Sequence, residues 1–206
     1  MFYSITKLLL GWIIRIFWVE KVEGIHYLPK KGPIIIAANH ASFLDFALLV
    51  VASKRRLYFL VSDFFYKNPF FRLILRMTGQ IKVDSFKKGR SAVYQAAEDV
   101  LKRGHVLVIF PEGTRSNDGK LLKAYKGVAR ISLQNEADIL PVAIKESHVV
   151  WRRGKFFPSF KKICKVVFLQ PIIYKEIKHK EPKEIVHKIL MPELARELGH
   201  SYDHDV

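Results

Sequence analysis

A single cysteine, Cys164, stands in 206 residues. No intrachain disulfide and no cysteine-rich zinc site can form, which fits a reducing compartment. Cys164 lies inside the apolar run 163–169, where a buried, inert thiol is expected. No metal site is expected either, because the seven histidines other than His40 form no cluster at ligand spacing. A Gly-x-Ser-x-Gly elbow is missing, as is a cysteine beside a base, so direct attack by a substrate hydroxyl is favoured over a covalent acyl-enzyme. Acidic residues are scarce: 19 Asp and Glu face 35 Lys and Arg, for a net charge of +16. There is no internal repeat, no low-complexity tract and no interdomain linker, so the length fits one ordinary domain.

Half the residues are hydrophobic, which is apolar for so basic a chain. Together these traits suit a protein working against an anionic surface. Nucleic acid is not the expected partner, since no recognition helix, zinc site or aromatic RNA-binding strand motif organises the charge. Between residues 151 and 188, eleven Lys and Arg stand against three Glu, so half of the charge excess falls there. Trp151, Phe156, Phe157 and Phe160 are interleaved with Arg152, Arg153, Lys155, Lys161 and Lys162. Such mixing suits a lipid headgroup layer, and equally a solvated basic face over core aromatics.

No uninterrupted apolar run reaches the roughly 20 residues a spanning helix needs. The longest candidate, 2–19, is broken by Lys7 and Arg15. Plotted as a helix, Ser4, Lys7, Gly11, Arg15 and Trp18 form one stripe and the remaining circumference is apolar. That pattern describes a helix lying in the membrane interface. A spanning helix and a helix packed onto the domain are the alternatives.

Beyond it, short apolar runs at 34–38, 106–110, 139–144 and 164–169 read as strands, the first two buried on both faces. Residues 80–84 alternate enough for another strand. Helical spacing marks 46–52, 91–103 and 126–137, and 184–198 with a break or kink at Pro192. The aromatic-rich stretch 57–77 could face a membrane. Strands alternating with helices predict an α/β fold, a mixed, mostly parallel sheet covered by helices on both faces.

Two segments about seventy residues apart follow apolar strands: Asn39-His40-Ala41-Ser42-Phe43-Leu44-Asp45 and Phe110-Pro111-Glu112-Gly113-Thr114-Arg115-Ser116. In open α/β sheets such strand ends are where ligands bind. On one continuous helix a spacing of five turns about 140°, so His40 and Asp45 meet only if His40 sits on the loop and Asp45 in the next helix's first turn. The carboxylate would then hold one imidazole nitrogen and leave the other to act as a base. Alternatively, His40 caps the helix and Asp45 complements its dipole. In the second segment, Gly113 permits close backbone approach, Thr114 can donate and Arg115 can grip a phosphate through two nitrogens. Lys126, before Gly127, could add a second cation at a helix start. A plain Arg115–Glu112 pair holding the turn is the other reading.

The two segments in this order, with Lys126-Gly127 and Leu140-Pro141-Val142 behind them, resemble the glycerolipid acyltransferase family. The likeness is to its 1-acylglycerol-3-phosphate acyltransferase branch, whose product is phosphatidic acid, and runs from about Val22 to Pro171. The resemblance implies an αβα acyltransferase fold, so residues 21–206 are expected to form one acyltransferase domain, behind the membrane-associating helix that the stripe pattern predicts over 1–20. It implies an acyl-CoA or acyl-carrier-protein co-substrate, with no cofactor and no metal. It further implies His40 as base, Asp45 as its orienting partner, and Glu112, Gly113, Thr114 and Arg115 in the acceptor phosphate site. The expected partner is a membrane lysolipid, lysophosphatidic acid or a relative, with the protein at the cytoplasmic face of the membrane. Two departures stand out. Where the family has Asp-Arg after Gly79-Gln80-Ile81-Lys82-Val83, this chain has Asp84-Ser85; where it often has Ala-Lys, this chain has Val61-Ser62. Lys82, Lys87, Lys88 or Arg90 could substitute for the missing arginine.

Overall fold

The computed structural model describes residues 2–62, 66–67, 69–78, 80–83, 89–152 and 154–204. Seven strands form one sheet: β1 (Val19–Glu23), β2 (Ile34–Ala38), β3 (Leu57–Ser62), β4 (Ile81–Val83), β5 (Val106–Ile109), β6 (Ile139–Lys145) and β7 (Cys164–Phe168). Their order is β1-β7-β6-β2-β5-β3-β4. Every neighbouring pair is parallel except β6 and β7, which run antiparallel.

Because strand side chains alternate, β2 feeds both faces of the sheet. Ile35 and Ala37 join the cluster holding Leu101 of helix α4 (Gly89–Lys102), Val128 and Ile131 of α5 (Gly127–Asn135), and Leu194 of α6 (Met191–Leu198). Ile34, Ile36 and Ala38 join the opposite cluster, with Leu48 and Leu49 of α2 (Leu44–Ala52). The α2 helix is apolar nearly all round, as an element pressed between a sheet and an outer helix must be. That outer helix is α1 (Phe2–Phe17).

The mixed, mostly parallel sheet predicted from sequence is present. Several details differ. The edge strand β1 begins at Val19, so it starts inside the segment read as helix and ahead of the boundary at residue 20. Its sequence, Val-Glu-Lys-Val-Glu, carries the charges of an edge strand, which hide it from an apolar-run search. The stretch 57–77 divides into β3, an interior strand, and α3 (Pro69–Thr78), so its first part faces the core rather than a membrane. Pro192 does not break the last helix. It falls at the start of α6, after a wider π-helical turn over Ile185–Leu190, where Met191 N–H reaches back five residues to Val186 O. The proline's missing N–H is absorbed at that junction.

The most consequential difference concerns α1. At 16 residues it is about 24 Å long, short of the roughly 30 Å hydrocarbon layer, and no helix among the described residues is long and apolar enough to cross a membrane. Its two cations reach across to α2: Lys7 Nζ donates to Ser53 O and the exposed Arg15 to Val51 O at 3.0 Å, both at the C-terminal end of that helix. Two cations there meet the carbonyls and the negative end of the helix dipole. Gly11 is buried, and a Cβ there would lie 3.3 Å from Val51. Trp12, Ile13, Ile16 and Phe17 consequently point outward and are exposed.

Candidate active site

Two parallel strands that pair in register must release their chains at the same edge. Strands β2 and β5 do so, matching Ile34 with Val106 through Ala37 with Ile109. The segments 39–45 and 110–116 therefore start side by side. Asn39 then prolongs the β2–β6 pairing with its side chain: its amide donates to Ile144 O at 2.9 Å and accepts from Ile144 N–H at 2.7 Å. Ser42 turns the chain into α2, donating to Trp151 O at 2.9 Å and accepting from Leu44 N–H at 3.2 Å. With its hydroxyl committed to this turn, Ser42 acts as a structural cap.

Asp45 enters in the first turn of α2, fully buried. Its Oδ2 accepts three hydrogen bonds, from His40 Nδ1–H at 2.7 Å and from the N–H groups of Ala41 and Ser42 at 2.8 Å each. A carboxylate only accepts, so the imidazole proton resides on Nδ1 and Nε2 carries the lone pair. No described residue is a hydrogen-bond partner of Nε2. The ring is held flat by Phe110, stacked at 4.1 Å and 18°, and edge-on by Phe46 at 5.4 Å. The same carboxylate thus meets the backbone N–H groups of the loop before α2 and holds the His40 ring, which turns to Asp45 rather than capping the helix.

The second segment is bound to the first through its backbone. Glu112, 2% exposed, accepts from His40 N–H through Oε1 and from Leu122 N–H through Oε2, each at 2.8 Å. Ser116 N–H donates to His40 O at 2.8 Å. Burial pushes the Glu112 carboxyl up to about 7, against the two backbone bonds that act to lower it, and the Asp45 charge adds to the rise. Glu112 stands between the two loops, with both oxygens engaged by backbone donors. Gly113 has φ 67°, a left-handed conformation that favours glycine, and a Cβ there would lie 3.1 Å from the ring of exposed Tyr125, which would have to give way. Tyr125 N–H donates to Pro111 O at 2.8 Å, which folds the start of α5 back over the turn. Gly113 and Thr114 are exposed, and Lys126 is the exposed N-cap of α5. The Arg115 guanidinium lies 3.5 Å over the ring of Phe43, joining the two segments at their outer rim.

Both predicted clusters therefore share one edge of the sheet. Sequence reasoning did not assign roles to Asn39, Phe46, Phe110 or Tyr125. The first is half of a side-chain–backbone bridge, and the aromatics contribute by tertiary stacking, for which spacing carries no signal. Asp84, Ser85, Lys87 and Lys88 lie outside the described residues, as do the side chains of Ser62, Lys82 and Arg90. Cys164 is buried, its thiol pushed up to about 12 by that burial, which leaves no thiolate for chemistry. Among the described residues no group of three or more His, Cys, Asp or Glu is placed to hold a metal ion.

A histidine–carboxylate pair beside a glycine–threonine–arginine turn, at one edge of a mostly parallel sheet between helical layers, defines an α/β domain with a candidate general base at its strand ends. Comparison with known proteins narrows it. The sequence profile of the Acyltransferase family matches residues 20–145, more than half of the chain, and the chain belongs to that family. It is 27% identical over 158 residues to the 1-acyl-sn-glycerol-3-phosphate acyltransferase of Limnanthes douglasii, covering 71% of this chain and 52% of that one. The Saccharomyces cerevisiae protein of the same name is 28% identical over 215 residues, covering 97% of this chain and 65% of its own length. The chain spans about half the length of the curated relatives it matches first. The crystal structure of the 1-acyl-sn-glycerophosphate (LPA) acyltransferase PlsC from Thermotoga maritima shares the fold, with a TM-score of 0.75 over 98% of this chain and 79% of that chain at 23% identity.

Proposed function

We propose that the protein is a membrane-associated O-acyltransferase that moves a fatty acyl group from a thioester to the free hydroxyl of lysophosphatidic acid, giving phosphatidic acid. The observation that carries this reading is the 2.7 Å bond from His40 Nδ1 to a buried Asp45, beside the Arg115 turn. The acceptor hydroxyl gives its proton to Nε2 as its oxygen attacks the thioester carbonyl. The carbon–sulfur bond then breaks and the imidazolium returns the proton to the leaving thiolate. Asp45 holds the tautomer and stabilises the transient positive charge. Arg115, with Thr114, the Gly113 backbone and Lys126, receives the acceptor phosphate, while Glu112 keeps the two loops in register. The thioester is carried by coenzyme A or an acyl carrier protein as co-substrate, and no step requires a metal or further cofactor.

The outward apolar face of α1, with its cations bonded to the end of α2, supports attachment to one leaflet, on the cytoplasmic side where a lone buried cysteine is at ease. The names of the relatives support the choice of acceptor. Mass spectrometry of the lipid formed from lysophosphatidic acid and from other lysolipids, with each thioester donor, tests the reading. Phosphatidic acid is the expected product, and His40→Ala abolishes it. Thioester consumed only with another lysolipid overturns the acceptor; consumption left intact in His40→Ala overturns the base.

A further inference from the structure

Among the described residues, the large hydrophobic side chains most exposed to solvent do not lie at the site but in residues 154–162. Phe156 is 91% exposed, Phe157 84% and Phe160 75%. Three bulky aromatics on one short loop exceed what a soluble surface ordinarily leaves uncovered. The loop is also fixed. Its root is tied by Trp151 Nε1–H to Lys155 O at 2.9 Å and by Ser159 N–H to Val150 O at 2.8 Å. Trp18, at the end of α1, donates from its indole to Ser159 O at 2.8 Å.

The loop continues the outward face of α1. The ring of Phe160 lies 5.3 Å from Phe17 and stacks at 6.0 Å on Trp18. Exposed Lys155, Lys161 and Lys162 interleave with the phenylalanines, exposed Arg152 precedes them, and residues 152–163 contain no acid. Apolar aromatics fringed by cations alone match the boundary of an anionic leaflet, with rings among the acyl chains and ammonium groups at the phosphates. The far end of this surface reaches the site. Trp151 lies 5.9 Å from Phe43, and Phe43 carries the Arg115 guanidinium.

We infer that residues 154–162 form a second membrane-binding element, which docks with the outward face of α1 onto an anionic phospholipid leaflet and sets the rim of the site against the headgroups. This deepens the membrane reading of α1 and rests on it for the shared plane. Vesicle binding, however, is measured without turnover.

The test is sedimentation of the full chain with vesicles of phosphatidylcholine, alone or mixed with phosphatidylserine. Each basic residue near an anionic surface strengthens binding about fivefold. The triple change Lys155→Ala, Lys161→Ala, Lys162→Ala is expected to weaken binding to the mixed vesicles about a hundredfold and to leave binding to phosphatidylcholine unchanged. Phe156→Ser, Phe157→Ser and Phe160→Ser together are expected to weaken binding to both. Unaltered thermal unfolding shows that both variants fold. Equal partitioning of the wild type and both variants overturns the inference. So does self-association of the wild type without vesicles that the Phe changes abolish while partitioning stays the same, which assigns the surface to a second copy. Thioester release on a water-soluble acceptor, without vesicles, is expected to match the wild type in both variants. A wild type that binds vesicles but consumes no thioester refutes the chemistry and leaves the loop in place.

Discussion

Replacing Glu112 by glutamine removes a charge and almost no volume, and the structure sets two opposing effects on that change. Both carboxyl oxygens accept from backbone N–H groups at 2.8 Å, one from His40 and one from Leu122. An amide offers one acceptor and one donor, so one N–H would face an NH2 group. A buried donor without an acceptor costs about 1–3 kcal/mol. Against this stands the burial that raises the carboxyl from 4.5 to about 7. At about 1.4 kcal/mol for each pH unit, that interval corresponds to about 3 kcal/mol. The folded chain holds the proton more tightly than the unfolded chain, so this stability is complete below about 4.5 and is lost as pH rises through about 7. The amide variant does not titrate. The wild type should therefore be the more stable at low pH and lose about 3 kcal/mol relative to Glu112→Gln by neutral pH and above, so that the gap closes or reverses. Urea unfolding of both proteins across that range measures the difference. A constant gap, or a wild type that gains on the variant as pH rises, would show that the backbone bonds outweigh burial and keep Glu112 ionised.

Three further outcomes follow from the site and from α1. Asp45→Asn keeps an acceptor for Ala41 and Ser42 but removes the charge facing the imidazole. Its kcat should fall by about 10²-fold or more with KM little changed, and a variant within a few-fold of wild type would remove Asp45 from the mechanism. Arg115→Ala should raise the acceptor KM about tenfold to a hundredfold, the size of a charge-assisted bond, and leave the thioester KM alone; an unchanged acceptor KM removes it from the phosphate site. Trp12→Ser, Ile16→Ser and Phe17→Ser together should weaken vesicle binding at least about a hundredfold with the fold intact, because these side chains point away from α2. Equal partitioning would count against the anchor. Truncation at residue 20 is the poorer test, since it removes the first residues of β1 and the Lys7 and Arg15 contacts with α2.

The central strands were legible because a strand buried on both faces must be apolar, and β2, β5 and β6 as far as Ile144 are. The edge strand β1 was not, because its exposed positions carry charges that erase the signal. Helix α1 was legible as a helix and as an amphipathic one. Which face it buries was not, because an apolar face turned outward violates the usual pattern, and the pattern alone cannot say that α2 ends where two cations are wanted. Likewise Pro192 marks a disturbance, while the π-helical turn that accommodates it depends on packing over the preceding six residues.

From its residues alone this chain declares an α/β sheet, a histidine and an aspartate five apart after one strand, and a glycine–threonine–arginine turn after another. Those features are local, written in spacing and residue type. Tertiary structure alone decided that the two strands are neighbours, that Glu112 accepts from the backbone of His40, and that Phe110 and Phe46 clamp the imidazole. It also turned α1 and the Phe160 loop into one face. Each of these is a contact between segments distant in the chain, and such contacts depend on the register and order of the strands between them, which no local pattern encodes.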